Sequence, residues 1–191
     1  MKKVGSACGS IARMAIRAVI FDVGGVLEII DDTVFPGEWP SRLDLTREEL
    51  DGRLATPGGD AVLGELTEAE IEAHWQRSLG LTAVDVERLV NEFWRWYVGS
   101  LDRELFDWFV ARRRGLLTGL LSNSGPGARE REACWGFEAV TDDIVYSHEV
   151  GLKRPDPAIF ALAGRRLHVE PHEILFLDDV SGHVAAARAA G

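Results

Sequence analysis

The chain has few cysteines and no long apolar run. Its 191 residues include two cysteines, Cys8 and Cys134. Their spacing fits no zinc-binding pattern, and a chain of this length does not depend on disulfides for stability. We therefore expect two free thiols and a cytoplasmic location. No apolar stretch approaches the roughly 20 residues of a membrane-spanning helix, so no membrane partner is expected.

Basic residues are also scarce. The 21 Lys and Arg residues are outnumbered by 31 Asp and Glu residues, which gives a formal net charge of −10. Non-specific binding of nucleic acid requires a basic face, so nucleic acid is not expected as a partner. Because an acidic surface repels anions at long range, a phosphate site in this chain would need local positive charge or a metal ion.

The order of the apolar patterns predicts the fold class. Residues 16–21 form one short apolar run. After residue 115 such runs alternate with helical segments, and the predicted strands are 116–121, 144–147 and 174–177. Alternating strands and helices predict an α/β fold with a doubly wound parallel sheet and helices on both faces.

The segment between residues 33 and 105 differs in character from the rest. It shows helical spacing throughout, with capping-box patterns that begin at Thr46 and Thr67. We therefore predict a small all-helical domain inserted after the first strand. The predicted division is a flexible extension over residues 1–13, an α/β core over 14–32 and 106–191, and the helical domain over 33–105.

Polar residues directly follow three of the predicted strands. Asp22 follows "AVIF", Ser122 and Asn123 follow "LLTGLL", and Asp178-Asp179 follows "ILFL". Ligands of open α/β sheets bind outside the carboxyl ends of the strands, so these side chains are expected at one rim. Crowded carboxylates are costly unless a cation or a bound ligand organises them, and hard oxygen ligands of this kind suit Mg²⁺.

Four motifs carry a family resemblance. They are "FDVGGVL", "LLSNS", "GLKRPDPAIF" and "LFLDDVSGHVAAARAAG". In order and spacing the chain resembles the haloacid dehalogenase-like (HAD) hydrolases, from Ile16 to the C-terminus, and within them the phosphatase branch. The resemblance implies that the inserted helical domain is a movable cap over the α/β core. We refer to it below as the cap.

The resemblance also implies roles for the rim residues. Asp22 would be the nucleophile, forming an aspartyl-phosphate that water then hydrolyses. Ser122 and Asn123 would hold the phosphoryl oxygens, and Gly25 would let the backbone pass close to the phosphate. Mg²⁺ would offset the repulsion between nucleophile and phosphate, and its implied ligands are Asp22, the carbonyl of Gly24, Asp179 and the nearby Asp178.

Three positions depart from the family pattern. Gly24 stands where most family phosphatases have the Asp that protonates the leaving oxygen, a group worth typically ~10²–10⁴ in rate, so slow turnover is expected. The family's Lys before Pro is replaced by Arg154, with Lys153 one residue earlier. Neighbours in an extended segment point opposite ways, so only one can enter the site, and we favour Arg154 as the catalytic cation over Lys153 as a substrate-binding one. His183 replaces a frequent Asn, and its open roles are a hydrogen bond to Asp22 or to the cationic residue before Pro155, binding of substrate, or supply of the missing acid.

The expected activity is Mg²⁺-dependent hydrolysis of a small phosphomonoester, with sugar phosphates among the candidates, by a monomer or homodimer. Two alternatives remain open: a 2-haloacid dehalogenase-type hydrolase, which needs no metal, and a non-catalytic binding or regulatory protein on a degenerate HAD scaffold. The tryptophans at helical spacing are expected in the core of the cap rather than on a substrate platform; they are Trp75, Trp94, Trp96 and Trp108.

Overall fold

The computed structural model describes residues 15–191, and the predicted extension over 1–13 lies outside them. The strands of the described part are β1 (Ala18–Phe21), β2 (Glu28–Ile29), β3 (Ser100–Leu101), β4 (Leu117–Ser122), β5 (Asp143–Tyr146) and β6 (Ile174–Leu177). Four of them form a parallel sheet in the order β5–β4–β1–β6. Phe21 at the end of β1 lies opposite both Leu120 and Leu177, so the carboxyl ends of the strands are level.

The helices between β2 and β3 form the cap, and their bounds are α1 (Trp39–Leu43), α2 (Arg47–Leu54), α3 (Glu68–Leu79) and α4 (Ala83–Val98). The two predicted capping boxes are confirmed at the starts of α2 and α3, where Thr46 and Thr67 bind the backbone three residues on. Aromatic and aliphatic side chains, among them Phe35, Trp39 and Trp75, fill the core of the cap.

The remaining helices flank the sheet, and they are α5 (Arg103–Arg112), α6 (Ala128–Glu132), α7 (Phe137–Val140), α8 (Ser147–Val150), α9 (Pro157–Arg166) and α10 (Ser181–Ala189). Side chains of β1 alternate between two buried clusters: Phe21 packs with Phe109 of α5, while Ile20 packs with Ile159 of α9. Burial on both faces explains the uninterrupted apolar run of this strand. The predicted α/β fold with a parallel sheet is confirmed. Within residues 15–191, no helix combines the length and apolar character needed to cross a membrane.

A short antiparallel ribbon joins the cap to the core. Glu28 of β2 pairs with Leu101 of β3, and the amide of Asp102 donates to the carbonyl of Leu27 at 2.8 Å. The chain leaves and re-enters the core at this ribbon. Two-residue strands carry no readable alternation, which is why the sequence did not predict them.

Candidate active site

The nucleophile candidate Asp22 lies at the rim, one residue beyond β1. Its side chain is buried, and its Oδ1 accepts a 2.7 Å hydrogen bond from the amide of Val23. The amide of Asp22 itself donates to the carbonyl of Leu177 at 2.9 Å. Ser122, the last residue of β4, is also buried. The parallel register therefore brings Asp22 and Ser122 to one rim, as the sequence predicts.

Arg154 occupies the centre of the site. Its Nη1 lies 2.7 Å from Oδ2 of Asp22 and its Nη2 lies 2.8 Å from Oδ1, so the guanidinium binds both oxygens of the carboxylate. Nη1 also contacts Asp178, and the Arg154 side chain is only 2% exposed. A charged group this deeply buried is stable only when paired. The planar fork of Arg suits this two-oxygen contact, which a Lys ammonium cannot reproduce.

Lys153 points away from Asp22. Its ammonium pairs with Asp60, just before the short 3-10 turn Ala61–Leu63 of the cap. The pairing lowers the pKa of the Asp60 carboxyl, with the hydrogen bond from Lys153 as the largest cause. The structure thus places Arg154 in the rim and Lys153 at the boundary between core and cap.

Asn123 contacts the backbone of Arg154. Its Oδ1 accepts from the Arg154 amide at 2.9 Å, and its Nδ2 donates to the Arg154 carbonyl at 3.0 Å. Both polar ends of the amide are therefore used to hold the Arg154 segment against the end of β4. In this geometry Asn123 holds the Arg154 segment, and the second N–H of its Nδ2 stays available to a phosphoryl oxygen.

The two adjacent acids Asp178 and Asp179 point in different directions. The side chain of Asp178 is fully buried, accepts from the Val180 amide at 2.8 Å, and has both oxygens 3.2 Å from Nδ1 of His183. Asp22, Asp178 and His183 each offer a ligand atom, all within 4.8 Å of one another. His183 thus contacts Asp178, and within residues 15–191 no hydrogen bond joins it to Asp22.

Asp179 lies against the loop that follows the nucleophile. Gly25 has a φ of +76°, and a Cβ built on it would lie 2.5 Å from Oδ2 of Asp179. Only glycine fits this combination of left-handed backbone and close approach. The neighbouring Gly24 is different, because a Cβ there would meet no atom of the described chain within 4 Å beyond its sequence neighbours.

A family model for haloacid dehalogenase-like hydrolases matches residues 16–191. The chain belongs to the haloacid dehalogenase-like hydrolases. Phosphatase MT3486 of Mycobacterium tuberculosis is 30% identical over 93% of this chain and 85% of its own length. D-ribitol-5-phosphate phosphatase of Bacteroides thetaiotaomicron is 25% identical over 92% of this chain and 89% of its own. A HAD family enzyme of the same organism, solved with magnesium and inorganic phosphate, shares the fold with a TM-score of 0.74 and 19% identity, over 93% of this chain and 91% of that one.

The electrostatics of this HAD site are dominated by acids. Burial raises the pKa of Asp22 above its ordinary value, while the hydrogen bond and charge of Arg154 act in the opposite direction. Asp22 and Asp178 together carry two potential negative charges against the one guanidinium of Arg154. A phosphate dianion brought to this rim would therefore need additional positive charge.

A cleft of about 160 Å³ opens above Asp22, between the HAD core and the cap. Core residues Gly24, Ser122 and Arg154 line one side, and Trp96 and Tyr97 from the last turn of α4 line the other. Burial holds the pKa of Tyr97 above its ordinary value, so the hydroxyl stays protonated. The sequence did not identify Tyr97, because helical spacing does not show which end of a cap helix reaches the core.

The sequence patterns also did not indicate a buried pair of acids, Glu28 and Glu132. Both side chains are fully buried: Trp135 donates to Glu28 at 2.9 Å, and the Tyr146 hydroxyl donates to Glu132 at 2.7 Å. One oxygen of each carboxyl has no hydrogen-bond partner among the described residues. Burial, reinforced by the charge of Glu132, raises the pKa of Glu28 to about 9, and burial raises that of Glu132 to about 7. Glu28 therefore holds a proton at neutral pH.

The tryptophans divide between several settings. Trp75 is buried in the cap core, as expected. Trp75 and Trp94 also line a cavity next to the cleft above Asp22, and Trp96 lines that cleft itself. Trp108 lies on α5, outside the cap, and is 41% exposed, so its expected place in the cap core is wrong.

Proposed function

We propose that the protein is a Mg²⁺-dependent phosphatase that hydrolyses a small phosphomonoester through an aspartyl-phosphate on Asp22. The observation that carries this proposal is the convergence of the buried side chains of Asp22, Asp178 and Arg154 at one rim, where Asp22 and Arg154 line a cleft beneath the cap. The phosphatase relatives support the same reaction class. In this proposal residues 33–105 form the cap, and residues 14–32 and 106–191 form the catalytic core.

In the first step, the Asp22 carboxylate attacks phosphorus and the bond to the leaving oxygen breaks. The electron pair departs with that oxygen, which then takes a proton. Arg154, which binds both oxygens of Asp22, would release one of them for the attack, and by holding the other it would orient the carboxylate and balance charge as the phosphoryl group arrives. The Ser122 hydroxyl would donate to a phosphoryl oxygen. In the second step, water attacks phosphorus and gives up a proton to solvent, the bond between phosphorus and the Asp22 oxygen breaks, and inorganic phosphate and the Asp22 carboxylate are released.

The donor set of the rim fits a hard divalent cation. Carboxylate oxygens of Asp22 and Asp178 lie in one group with His183 Nδ1, and the chain carbonyl of Gly24 lies next to this group in sequence. Asp22, Asp178 and Gly24 would hold Mg²⁺ after Arg154 Nη1, which contacts both carboxylates, has moved aside, and Asp179 borders the same loop. When bound, the ion would supply the positive charge that the two carboxylates and a phosphate together require.

The proton for the leaving oxygen has no donor at position 24. Glycine supplies no acid, so the proton comes from water or from another group of the cleft, and turnover is expected to be slow. The absence of this acid is expected to reduce the rate of hydrolysis least for substrates with good leaving groups, including anomeric sugar phosphates and aryl phosphates.

One observation favours a non-catalytic binding or regulatory function as the second candidate. Both oxygens of Asp22 are engaged by Arg154, which would have to release one of them before the carboxylate could attack. A dehalogenase is less well supported. Displacement of halide needs no metal, and the rim offers the acid pair Asp22 and Asp178 together with His183.

The test is turnover of a panel of phosphomonoesters by the wild type and by Asp22→Asn, with Mg²⁺ and with a chelator. We expect the wild type to release phosphate only with Mg²⁺. The Asp22→Asn variant should remain folded, and its turnover should be at least ~10³-fold lower. Asp107→Asn, on the exposed side of α5, is the matched control. Equal turnover by Asp22→Asn and the wild type would refute the mechanism, and no turnover of any ester would favour the non-catalytic function.

A further inference from the structure

A second cavity, of about 270 Å³, adjoins the catalytic cleft. Tyr97 and Asn123 line both spaces, so the two are neighbours. Because the two spaces share these residues, the cavity lies within reach of the group esterified to a phosphate held beside Asp22. On the proposed phosphatase function, the cavity is therefore where the alcohol portion of the substrate lies.

Aromatic side chains form one wall of the cavity. They come from two cap helices and are Trp75, Phe93, Trp94 and Tyr97. The Phe93 ring lies 5.2 Å from the rings of both Trp75 and Trp94, measured between centroids, so the wall is continuous. Aromatic faces attract cations. Trp94 already binds one in this way, since the Arg131 guanidinium lies 4.3 Å from its ring centroid.

Two acids on α3, Glu68 and Glu72, also line the cavity, one helical turn apart. Glu68 is fully engaged, because it accepts from Trp94 Nε1 at 3.1 Å and from Arg131 Nη1 at 3.0 Å. Glu72 has no hydrogen-bond or ion-pair partner among the side chains of residues 15–191. Burial and the charge of Glu68 raise the pKa of Glu72, while the charge of Arg131 acts in the opposite direction.

Because Arg131 pairs with Glu68, Glu72 is the lining acid that has no ion-pair partner among residues 15–191. The residues of the described chain that line it include two acids and no Lys, Arg or His. A neutral alcohol would leave the carboxylate of Glu72 beside apolar rings without a direct ion-pair partner. A cation would satisfy the carboxylate and the aromatic faces together.

We propose that the substrate is the phosphomonoester of a cationic alcohol, an amino alcohol or quaternary ammonium alcohol, whose positive group lies between the aromatic wall and Glu72. The phosphate end binds at Asp22 and Arg154, and the ammonium end binds in the cavity. Glu72 is then a specificity-determining residue, which selects for charge at the end of the substrate remote from phosphorus.

The first experiment measures binding without catalysis. Choline and its neutral isostere 3,3-dimethyl-1-butanol are titrated separately, with tryptophan fluorescence as the readout because Trp75 and Trp94 line the cavity. We expect choline to bind roughly 10-fold more tightly. Glu72→Gln should reduce this ratio to within about 2-fold, whereas Glu104→Gln, which removes the same charge from the exposed side of α5, should preserve it.

The second experiment compares turnover of phosphocholine with that of 3,3-dimethylbutyl phosphate, which has the same shape without the charge. A ratio of kcat/KM well above one that falls in Glu72→Gln supports the proposal. Equal binding of the two alcohols by the wild type overturns it, as does an unchanged ratio in Glu72→Gln. If choline is preferred in binding but neither ester is hydrolysed, the cation site stands and the phosphatase function fails. If both esters are hydrolysed equally, the phosphatase function stands and the cation site fails.

Discussion

Replacing Gly24 by Asp should restore an acid to the site and raise turnover. The substitution is sterically open, because a Cβ at Gly24 would meet no described atom within 4 Å apart from its chain neighbours. Gly24 is also absent from the glycines with positive φ, unlike Gly25, so Asp can adopt its backbone without strain. The new carboxyl would face the cleft lined by Asp22, Ser122 and Arg154.

The size of the expected gain in turnover depends on the charges around position 24 and on the leaving group of the substrate. A positioned general acid is worth ~10²–10⁴ in rate. The new carboxyl would lie near Asp22 and Asp178, whose charges raise its pKa and keep a fraction of it protonated. We expect a gain near the lower limit, about 10²-fold, for alkyl phosphates whose alkoxide must be protonated. For 4-nitrophenyl phosphate, whose leaving group needs no proton, we expect little change.

The assay is the dependence of kcat/KM on leaving-group pKa across a series of alkyl and aryl phosphates. Gly24→Asp should give a shallower slope than the wild type. Gly24→Asn is the matched control, since it has the same size and no comparably acidic proton. Equal slopes for Gly24→Asp and the wild type would refute the reasoning, and so would an equal gain in Gly24→Asn.

Two further predictions concern the metal and the buried acids. Asp178→Ala should weaken Mg²⁺ binding at least ~10-fold, because Asp178 rather than Asp179 faces Asp22. Calorimetric titration measures this affinity. A larger loss of affinity in Asp179→Ala would place the ion on the other side of the loop. Glu28 has a folded-state pKa of about 9, above its ordinary 4.5, so between these pH values the folded state binds more protons than the unfolded state. The free energy of unfolding should therefore fall as pH rises from 4.5 to 9, by roughly 1.4 kcal/mol per pH unit. Denaturant unfolding of Glu28→Gln should give a shallower pH dependence, and parallel curves for the two proteins would contradict this.

The fold was predictable because its signals are local. The apolar run before Asp22 is buried on both faces of the sheet, and Thr46 and Thr67 use backbone contacts only three residues away. Patterns of this kind depend on residues that are close in sequence, so tertiary packing does not change them. The β2–β3 ribbon has no such signal, since each strand is two residues long and pairs with a segment about 70 residues distant.

The rim of the site was predictable from topology, but the direction of its side chains was not. Parallel strands with level carboxyl ends bring Asp22, Ser122 and the Asp178-Asp179 pair together in any such sheet. Which acid of the pair faces the nucleophile depends on the turn after β6, where Asp178 binds the amide of Val180. Tyr97 enters the cleft only because α4 ends above the core, a tertiary fact that helical spacing does not encode.

The departures at Gly24 and Arg154 are connected through the charge of the site. Asp22 and Asp178 share the one guanidinium of Arg154, and a second Asp at position 24 would add another acid to the same cation. The charge of Asp22 already contributes to the raised pKa of the buried Glu132. Glycine at position 24 therefore limits repulsion in a region where buried acids outnumber the bases that face them.

A cationic alcohol as leaving group would fit this arrangement. An ammonium group a few bonds from the leaving oxygen withdraws electrons through those bonds and so makes the alcohol a better leaving group, an effect that persists when Glu72 pairs with the ammonium. Hydrolysis of such a substrate depends less on a protein acid. Glycine at position 24 therefore slows it less than it slows the hydrolysis of a neutral alkyl phosphate. Glu72 and the aromatic wall would hold the ammonium group, while Arg154 remains with the nucleophile. The missing acid and the acidic cap cavity are then two parts of the same adaptation to a positively charged leaving group.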